Sequence, residues 1–281
     1  QAFKLYNRTA VRPIQNIFIR VIKTITGKDV VITPFTLEDK KEEIFLSVKD
    51  EYLADKKVDY VGYAATKFVG HGSDDKQNPQ RVFTKPEFIN FLRSEIGMKK
   101  TKAYDCFTAL VDINLIQPQD DGEYIVDRET APFLKLYKDT VRYFFDHYKP
   151  IHFKVYCYLL NKYNIHQVYK HKENYFFSCA ELLRVVGYND RKFNNIKLMN
   201  EVLIDLENNH FISYNHETVG RPGKHGKYKE LYWVNHIAEN SKLAFGETMN
   251  EKPKELPESQ IPSYEEYLKM CGEARKVKSQ K

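Results

Sequence analysis

One pattern occurs twice in this chain, and it constrains the fold more than any other feature. A Thr or Ser followed three residues later by Glu opens a short helix, a glycine breaks it, and a longer helix follows. The cap is Thr84 in the first copy and Ser178 in the second, 94 positions later. The similar stretches 110–113 and 203–206 are 93 positions apart. This near-constant offset predicts an internal repeat of two copies.

Both copies predict the same order of elements. The first has a helix over 58–69, the capped helix to Glu95, a helix over 99–114 and a hairpin ending at 126. The second has a helix over 150–163, the capped helix, a helix over 190–208, and strands over 211–214 and 228–234. The order is typical of a winged helix-turn-helix, whose third helix lies in the major groove of DNA. We therefore predict an α+β chain of two tandem winged helix-turn-helix domains with an N-terminal extension and a C-terminal tail.

The predicted domain boundaries follow from these two copies. They are an N-terminal extension over 1–57, a first winged-helix domain over 58–130, a linker or connecting helix over 131–149, a second winged-helix domain over 150–238, and a linker with C-terminal tail over 239–281. Within the extension, spacings of three and four between apolar residues predict one amphipathic helix over 36–57. In the tail, Tyr264, Tyr267, Leu268 and Cys271 predict a short amphipathic helix before a basic end.

Composition excludes several classes of protein. No run approaches the roughly 18 apolar residues that a membrane span needs, so we expect no membrane partner. The start has no apolar stretch leading to a cleavage site, so we expect no signal peptide. The four cysteines are scattered and form no C-x-x-C pair, which favours reduced thiols in the cytoplasm; a bond between Cys157 and Cys179 is the alternative. The net charge of +6 is modest, and its distribution matters more than its size.

The predicted third helix of the second copy combines an apolar face with a polar N-terminal end. The spacing of Phe193, Ile196, Met199, Leu203 and Leu206 predicts that they face the core. The polar side chains then point outward: Arg191, Lys192, Asn194, Asn195 and Lys197. Arg and Asn pair with guanine and adenine edges, and Lys suits phosphates. These residues are candidates for DNA contact, with a solvated polar face as the alternative.

The predicted hairpin of the second copy carries cations without acids over 220–229. Its candidate DNA-binding residues are Arg221, Lys224 and Lys227. Arg beside Pro in a glycine-rich tip suits a narrow minor groove, whereas an ordinary exposed hairpin would mix both signs of charge. A phosphate-binding P-loop is excluded, because His225 replaces a required glycine and a strand follows where a helix is needed.

The hairpin of the first copy is acidic, whereas the hairpin of the second copy is basic. The third helix of the first copy opens with Lys99, Lys100, Thr101 and Lys102, which are candidates for phosphate contact. Ala103, Phe107 and Leu110 are predicted to face inward. The hairpin carries Asp120, Asp121 and Glu123, and an acidic hairpin is unsuited to a DNA groove. This copy either binds DNA through its helix alone or forms a dimer surface.

Catalytic motifs are scarce. No two of the nine histidines lie two positions apart, and no His-Glu-x-x-His motif is present. Asp29 with Glu38 and Lys40 forms a weak nuclease-like pattern, but such a pattern arises by chance in a charge-rich chain, and the helix predicted after Thr36 better explains Glu38. We therefore predict no catalytic residues, no metal site, no cofactor and no enzymatic activity.

The tandem arrangement resembles the replication initiator proteins of plasmids and phages. The resemblance covers about 58–236 and rests on the architecture and on stretches such as Phe177–Leu182 and Asn208–Ser213. It implies sequence-specific binding to double-stranded DNA at origin repeats. It also implies a homodimer and host replication proteins as further partners, and a nucleoid-associated location in the cytoplasm. A winged-helix transcriptional regulator and, more remotely, a metal-dependent nuclease are the alternatives.

Overall fold

The described part of the chain opens with a strand where the sequence pattern predicts a helix. In the computed structural model, which describes residues 43–72, 81–126, 133–169, 174–219, 229–238, 261–263 and 265–270, β1 (Glu43–Ser47) precedes α1 (Asp50–Ala54). Ile44 and Leu46 are buried while Phe45 between them is 51% exposed, which is the two-residue alternation of a strand. The helix prediction over 36–57 is therefore wrong for 43–49, because Ile44 and Val48 fit both periods and a partner strand is available.

The first half of the fold follows the predicted order. It contains α2 (Tyr60–Ala65), β2 (His71–Gly72), β3 (Arg81–Thr84), α3 (Lys85–Ser94), α4 (Lys100–Asp112), β4 (Ile116–Pro118) and β5 (Glu123–Val126). A four-stranded antiparallel sheet has the order β2-β3-β5-β4. The strand before the capped helix therefore pairs with the second strand of the hairpin.

A strand and a helix occupy the middle of the chain, where a linker or connecting helix is predicted. They are β6 (Phe133–Tyr137) and α5 (Lys138–His147). β6 pairs antiparallel with β1 over five residues, from Glu43 opposite Tyr137 to Ser47 opposite Phe133. This segment is thus a folded part of the molecule.

The second half repeats the topology of the first. It contains α6 (Pro150–Asn164), β7 (Phe176–Phe177), α7 (Cys179–Val185), α8 (Phe193–Asn208), β8 (Ile212–Val219) and β9 (Lys229–Ile237), and residues 265–270 form a tail helix, α9. Its sheet has the order β7-β9-β8, so the short strand before the capped helix again pairs with the second hairpin strand. The fold is α+β, and the repeat predicted from sequence is present in its topology.

One hydrophobic core extends through both halves. The ring of Phe144 in α5 lies 5.2 Å from that of Phe153 in α6 and 4.7 Å from that of Phe211, which precedes β8. Phe153 in turn lies 5.9 Å from Tyr60 of α2 in the first half. Buried residues from Ile44 to Ala238 form a continuous cluster. The halves therefore pack as parts of a single unit.

The predicted helix caps and turns are present. Thr84 forms a full capping box, since its backbone N–H donates to the Glu87 carboxylate at 2.7 Å and its hydroxyl accepts from the Glu87 N–H. Ser178 accepts from the Glu181 N–H, but the Glu181 side chain bonds elsewhere. Gly97 and Gly187 lie just after the short helices that they are predicted to break, and both adopt a positive φ.

Helix α8 starts later than predicted, and this changes one side chain's environment. It begins at Phe193 rather than Asp190. Met199, Leu203 and Leu206 are buried as predicted, and so are Ala103, Phe107 and Leu110 of α4. Phe193, however, is 78% exposed. Its predicted inward orientation is wrong, because the first turn of α8 extends beyond the helices that cover the rest of its apolar face.

The described residues contain no helix long and apolar enough to cross a membrane. Cys106, Cys157 and Cys179 are free, buried thiols, which rules out the alternative disulfide between the last two. The fourth cysteine, Cys271, and the basic end of the tail lie outside the described residues.

Candidate nucleic-acid interface

The turn before α8 is held by side-chain hydrogen bonds. The Asn189 side-chain oxygen accepts from the backbone N–H of Arg191 at 2.9 Å. The Asn195 side chain donates to the Asn189 backbone carbonyl at 2.7 Å. Asn and Asp side chains commonly fix turns in this way. Asn195 therefore contributes to the local structure and has only part of its hydrogen-bonding capacity left for a base.

Three polar residues of this turn remain available for a partner. Arg191, Lys192 and Asn194 are exposed, and their side chains form no ion pair or hydrogen bond with any residue that the structure describes. The nearby acid Asp190 is neutralised by Arg184, whose Nε lies 3.0 Å from its carboxylate. Lys197 pairs with Glu201 at 4.0 Å, which weakens its candidacy. The surface at the start of α8 is therefore positive.

The lysines at the start of α4 divide into two groups. Lys99 and Lys100 are exposed, as is Thr101, and neither lysine forms an ion pair within the described ranges. Lys102 instead lies 3.3 Å from the Asp59 carboxylate and 4.5 Å above the ring of Phe145. These contacts join α4 to the start of α2 and to α5, so Lys102 stabilises the packing of the first half.

The two hairpins differ in length as well as charge. β8 and β9 pair over eight positions, from Ile212 opposite Ile237 to Val219 opposite Lys229. β4 and β5 pair over three, and the connecting residues Asp120 and Asp121 are exposed. The first hairpin is thus short and acidic, as predicted. Residues 220–228, with Arg221, Lys224 and Lys227, lie outside the described residues.

The segment from Ala54 to Asp59, which joins α1 to α2, contacts the turn before α8 and the first turn of α4. A Cβ placed on Gly187, in the turn before α8, would lie 2.0 Å from the carbonyl oxygen of Ala54. At the other end of the loop, Asp59 pairs with Lys102 in the first turn of α4. Five residues span at most about 18 Å. The predicted DNA-contacting ends of α4 and α8 therefore flank one short segment.

Two lysines in this loop belong to the same surface, and the sequence argument did not find them. Lys56 and Lys57 are exposed and lie between the segments that contact α8 and α4. Lys56 Nζ lies 4.6 Å from the centroid of Tyr188, directly before the Asn189 turn. Their sequence signal is only a Lys-Lys pair in a charged region, and its meaning depends on non-local contacts. We call Lys56, Lys57, Lys99, Lys100, Arg191 and Lys192 the basic strip.

A buried lysine holds this loop in place. Lys154 of α6 is 5% exposed, and its Nζ donates to the backbone carbonyls of Leu53 at 3.0 Å and Asp55 at 2.6 Å. Burial lowers the pKa of Lys154 to about 8, against the opposing effects of Asp55 and Asp59. Because α6 belongs to the common core, Lys154 couples the loop to the rigid part of the molecule.

A second polar cluster surrounds Glu181 of α7 and anchors the tail helix. The Glu181 carboxylate accepts from the hydroxyls of Tyr175 at 2.7 Å and Tyr267 at 2.8 Å. Tyr267 is 1% exposed and is the buried residue of α9. Burial, reinforced by Tyr158 and Glu181, raises the pKa of Tyr175 well above its usual range. Tyr175 therefore stays protonated, and the cluster docks the tail against the second half.

The described residues contain no arrangement typical of a metal site. No group of three His, Cys, Asp or Glu side chains among them is placed to hold a metal ion. Burial raises the pKa of both Cys106 and Cys157, so these thiols are poor nucleophiles. Asp29, Glu38 and Lys40 of the nuclease-like pattern lie outside the described residues.

No model of a known protein family matches the chain, and no curated protein matches it.

Proposed function

We propose that this protein binds double-stranded DNA sequence-specifically through two winged helix-turn-helix units, and that it initiates replication of a plasmid or phage. The observation that carries the proposal is the positive surface at the start of α8. Arg191, Lys192 and Asn194 are exposed and unpaired there, among the described residues, on a turn that hydrogen bonds hold in place. Such side chains at the start of a third helix suit both phosphates and base edges.

The repeated topology supports this proposal. Each half has a capped helix, a turn, a longer helix and an antiparallel hairpin, in the order that places a recognition helix beside a wing. In the second half the long hairpin β8–β9 leads to a segment whose sequence carries Arg221, Lys224 and Lys227. In the first half the wing is acidic and short, so we assign its DNA contacts to Lys99, Lys100 and Thr101.

The basic strip supports binding to one continuous stretch of duplex. Its members extend from the start of α4 through Lys56 and Lys57 to the start of α8. The loop that joins α1 to α2 carries Lys56 and Lys57. It spans at most about 18 Å, roughly half of a 34 Å turn of DNA. We infer that the loop lysines contact the phosphate backbone between the two helices. A DNA partner also implies a nucleoid-associated protein in the cytoplasm.

The salt dependence of DNA binding tests the proposal. Duplexes are first selected from a random library with the wild-type protein, and their affinity is measured by fluorescence anisotropy at several salt concentrations. Each lost phosphate contact reduces the slope of log K against log salt by about 0.9. We expect Lys192→Ala to reduce the slope by about 0.9, the value for one lost phosphate contact. The double variant Lys56→Ala with Lys57→Ala should reduce it by about 1.8, the value for two lost contacts.

Lys149→Ala is the matched control. Lys149 is also an exposed lysine before a helix, but the neighbouring His152 contacts Asp205, near the other end of α8. Thirteen helical residues, about 20 Å, separate Lys192 from that end. Equal slopes for the Lys149→Ala and Lys192→Ala variants would contradict the proposed surface. Selected sites in tandem direct repeats support replication initiation, whereas a palindrome contradicts it in favour of transcriptional regulation.

A further inference from the structure

The most exposed large apolar side chain in the described structure is Phe193, the first residue of α8. It is 78% exposed, above Phe45 at 51% and Ile204 at 48%. Burying a phenylalanine side chain removes a large apolar surface from water and is favourable. Within the part of the chain that the structure describes, its ring stacks on no other ring and lies under no cation. The folded chain therefore does not use this ring for its own stability.

The backbone that carries Phe193 is firmly placed. The Asn189 and Asn195 hydrogen bonds close around the turn on either side of it. The turn itself packs on Ala54 through Gly187, and Lys154 holds the carbonyls of Leu53 and Asp55 on either side of Ala54. The backbone that carries the ring is thus held at a defined position, which lowers the entropy lost when a partner contacts the ring.

The surroundings of the ring indicate what kind of partner covers it. Its immediate neighbours are Arg191, Lys192 and Asn194, all exposed. The core of an interface with another protein is typically depleted of charged residues other than arginine, and Lys192 lies next to the ring in the chain. An apolar ring set among cations and an amide instead suits a polyanion that also presents an apolar group. Duplex DNA does so through the thymine 5-methyl group in its major groove.

We propose that Phe193 is a base-reading residue that packs against the 5-methyl group of a thymine. This inference rests on the proposed function and adds a specificity determinant to it. Arg191 and Lys192 hold the flanking phosphates, and the Phe193 ring then distinguishes thymine from cytosine, which has only a hydrogen at C5 in place of the methyl group. The protein therefore prefers DNA sites with a thymine at one fixed position of the segment that α8 contacts.

A thymine-to-uracil scan tests this contact, because uracil lacks only the methyl group. Each thymine of the selected duplex is replaced in turn, and affinity is measured for the wild type and for Phe193→Ala. At one position we expect uracil to weaken wild-type binding about fourfold, the value for one buried methyl group. The same replacement should leave the affinity of Phe193→Ala unchanged, while the other positions behave alike in both proteins.

Each other outcome of the scan has a definite meaning. A uracil effect of equal size in wild type and Phe193→Ala overturns the Phe193 contact but leaves DNA binding intact. Failure of the wild type to enrich any duplex, with no salt-dependent binding, contradicts the proposed function itself. If Phe193→Ala instead abolishes self-association measured by light scattering and shows no coupling to thymine, the ring is a protein contact and the inference is wrong. Thermal denaturation of the variant, expected to match the wild type for so exposed a side chain, excludes misfolding.

Discussion

At the scale of single residues, Lys154 is the most consequential charge in the fold. A lysine with 5% exposure loses hydration, and its two backbone acceptors, the carbonyls of Leu53 and Asp55, compensate only in part. Its pKa of about 8 expresses that balance. Lys154 nevertheless holds the loop that carries Lys56 and Lys57. Its hydrogen bonds therefore maintain the geometry of the proposed interface, although its burial is unfavourable.

The lowered pKa predicts how stability changes with pH. The folded protein loses the Lys154 proton near pH 8, whereas the unfolded chain keeps it until about the ordinary value of 10.5. Between these values the unfolded state binds more protons, so the free energy of unfolding rises with pH. Relative to Lys154→Met, wild-type stability should increase by about 2 kcal/mol from pH 8 to pH 10 in urea denaturation. Parallel pH curves for the two proteins would contradict the assignment.

At the scale of elements, the turn between α7 and α8 is built on a close approach of two backbones. Gly187 has a φ of +78°, and there is no space for a Cβ beside the Ala54 carbonyl. Gly122, in the first hairpin, has the same φ, but a Cβ there would meet nothing within 4 Å. Gly122 is therefore required only for its backbone conformation, whereas Gly187 is required both for its conformation and for the space that a Cβ would fill.

Alanine at these two positions should have unequal effects. Gly122→Ala incurs only the left-handed backbone penalty, about 1–2 kcal/mol. Gly187→Ala incurs the same penalty and a further ~1–3 kcal/mol from the clash with Ala54. Chemical denaturation measures both, and Gly187→Ala should also weaken DNA binding because the clash displaces the turn before α8. Equal losses of stability would show that the Ala54 contact is unimportant.

The elements themselves follow largely from local sequence signals. The caps Thr84 and Ser178 and the glycine breaks correctly predict where the short helices begin and end. The strand β1 is missed because its apolar residues also fit a helical period, and only pairing with β6 decides between the two. The exposure of Phe193 is missed because periodicity identifies a face but not how far the covering helices extend along it.

At the scale of the whole molecule, the aromatic residues make two similar halves into one unit. Phe144 of α5 contacts rings in α6 and beside β8, and Phe153 connects this cluster to Tyr60 of α2. A shared core resists independent motion of the halves. We expect this rigidity to keep the two proposed recognition helices at one spacing on DNA.

A cooperative unfolding transition is the expected consequence of the shared core. Trp233, the one tryptophan in the sequence, lies in β9 and reports on the second half, whereas far-UV circular dichroism reports on both. The two signals should coincide in urea. Phe144→Ala should lower the free energy of unfolding by about 3–5 kcal/mol, the range for an aromatic ring removed from a core. Separate transitions for the two signals would show that the halves are independent domains.

The sequence by itself determined the order of helices and hairpin within each copy, the repeat and the places where positive charge collects, because caps, glycine turns and periodicity act over a few neighbouring residues. Only the tertiary structure decided which of those charges remain available. Lys102 is held by Asp59 and Phe145, Lys56 and Lys57 join the basic strip, and Phe193 is left exposed. These outcomes depend on contacts between segments distant in sequence, and no local pattern encodes which partner a side chain meets.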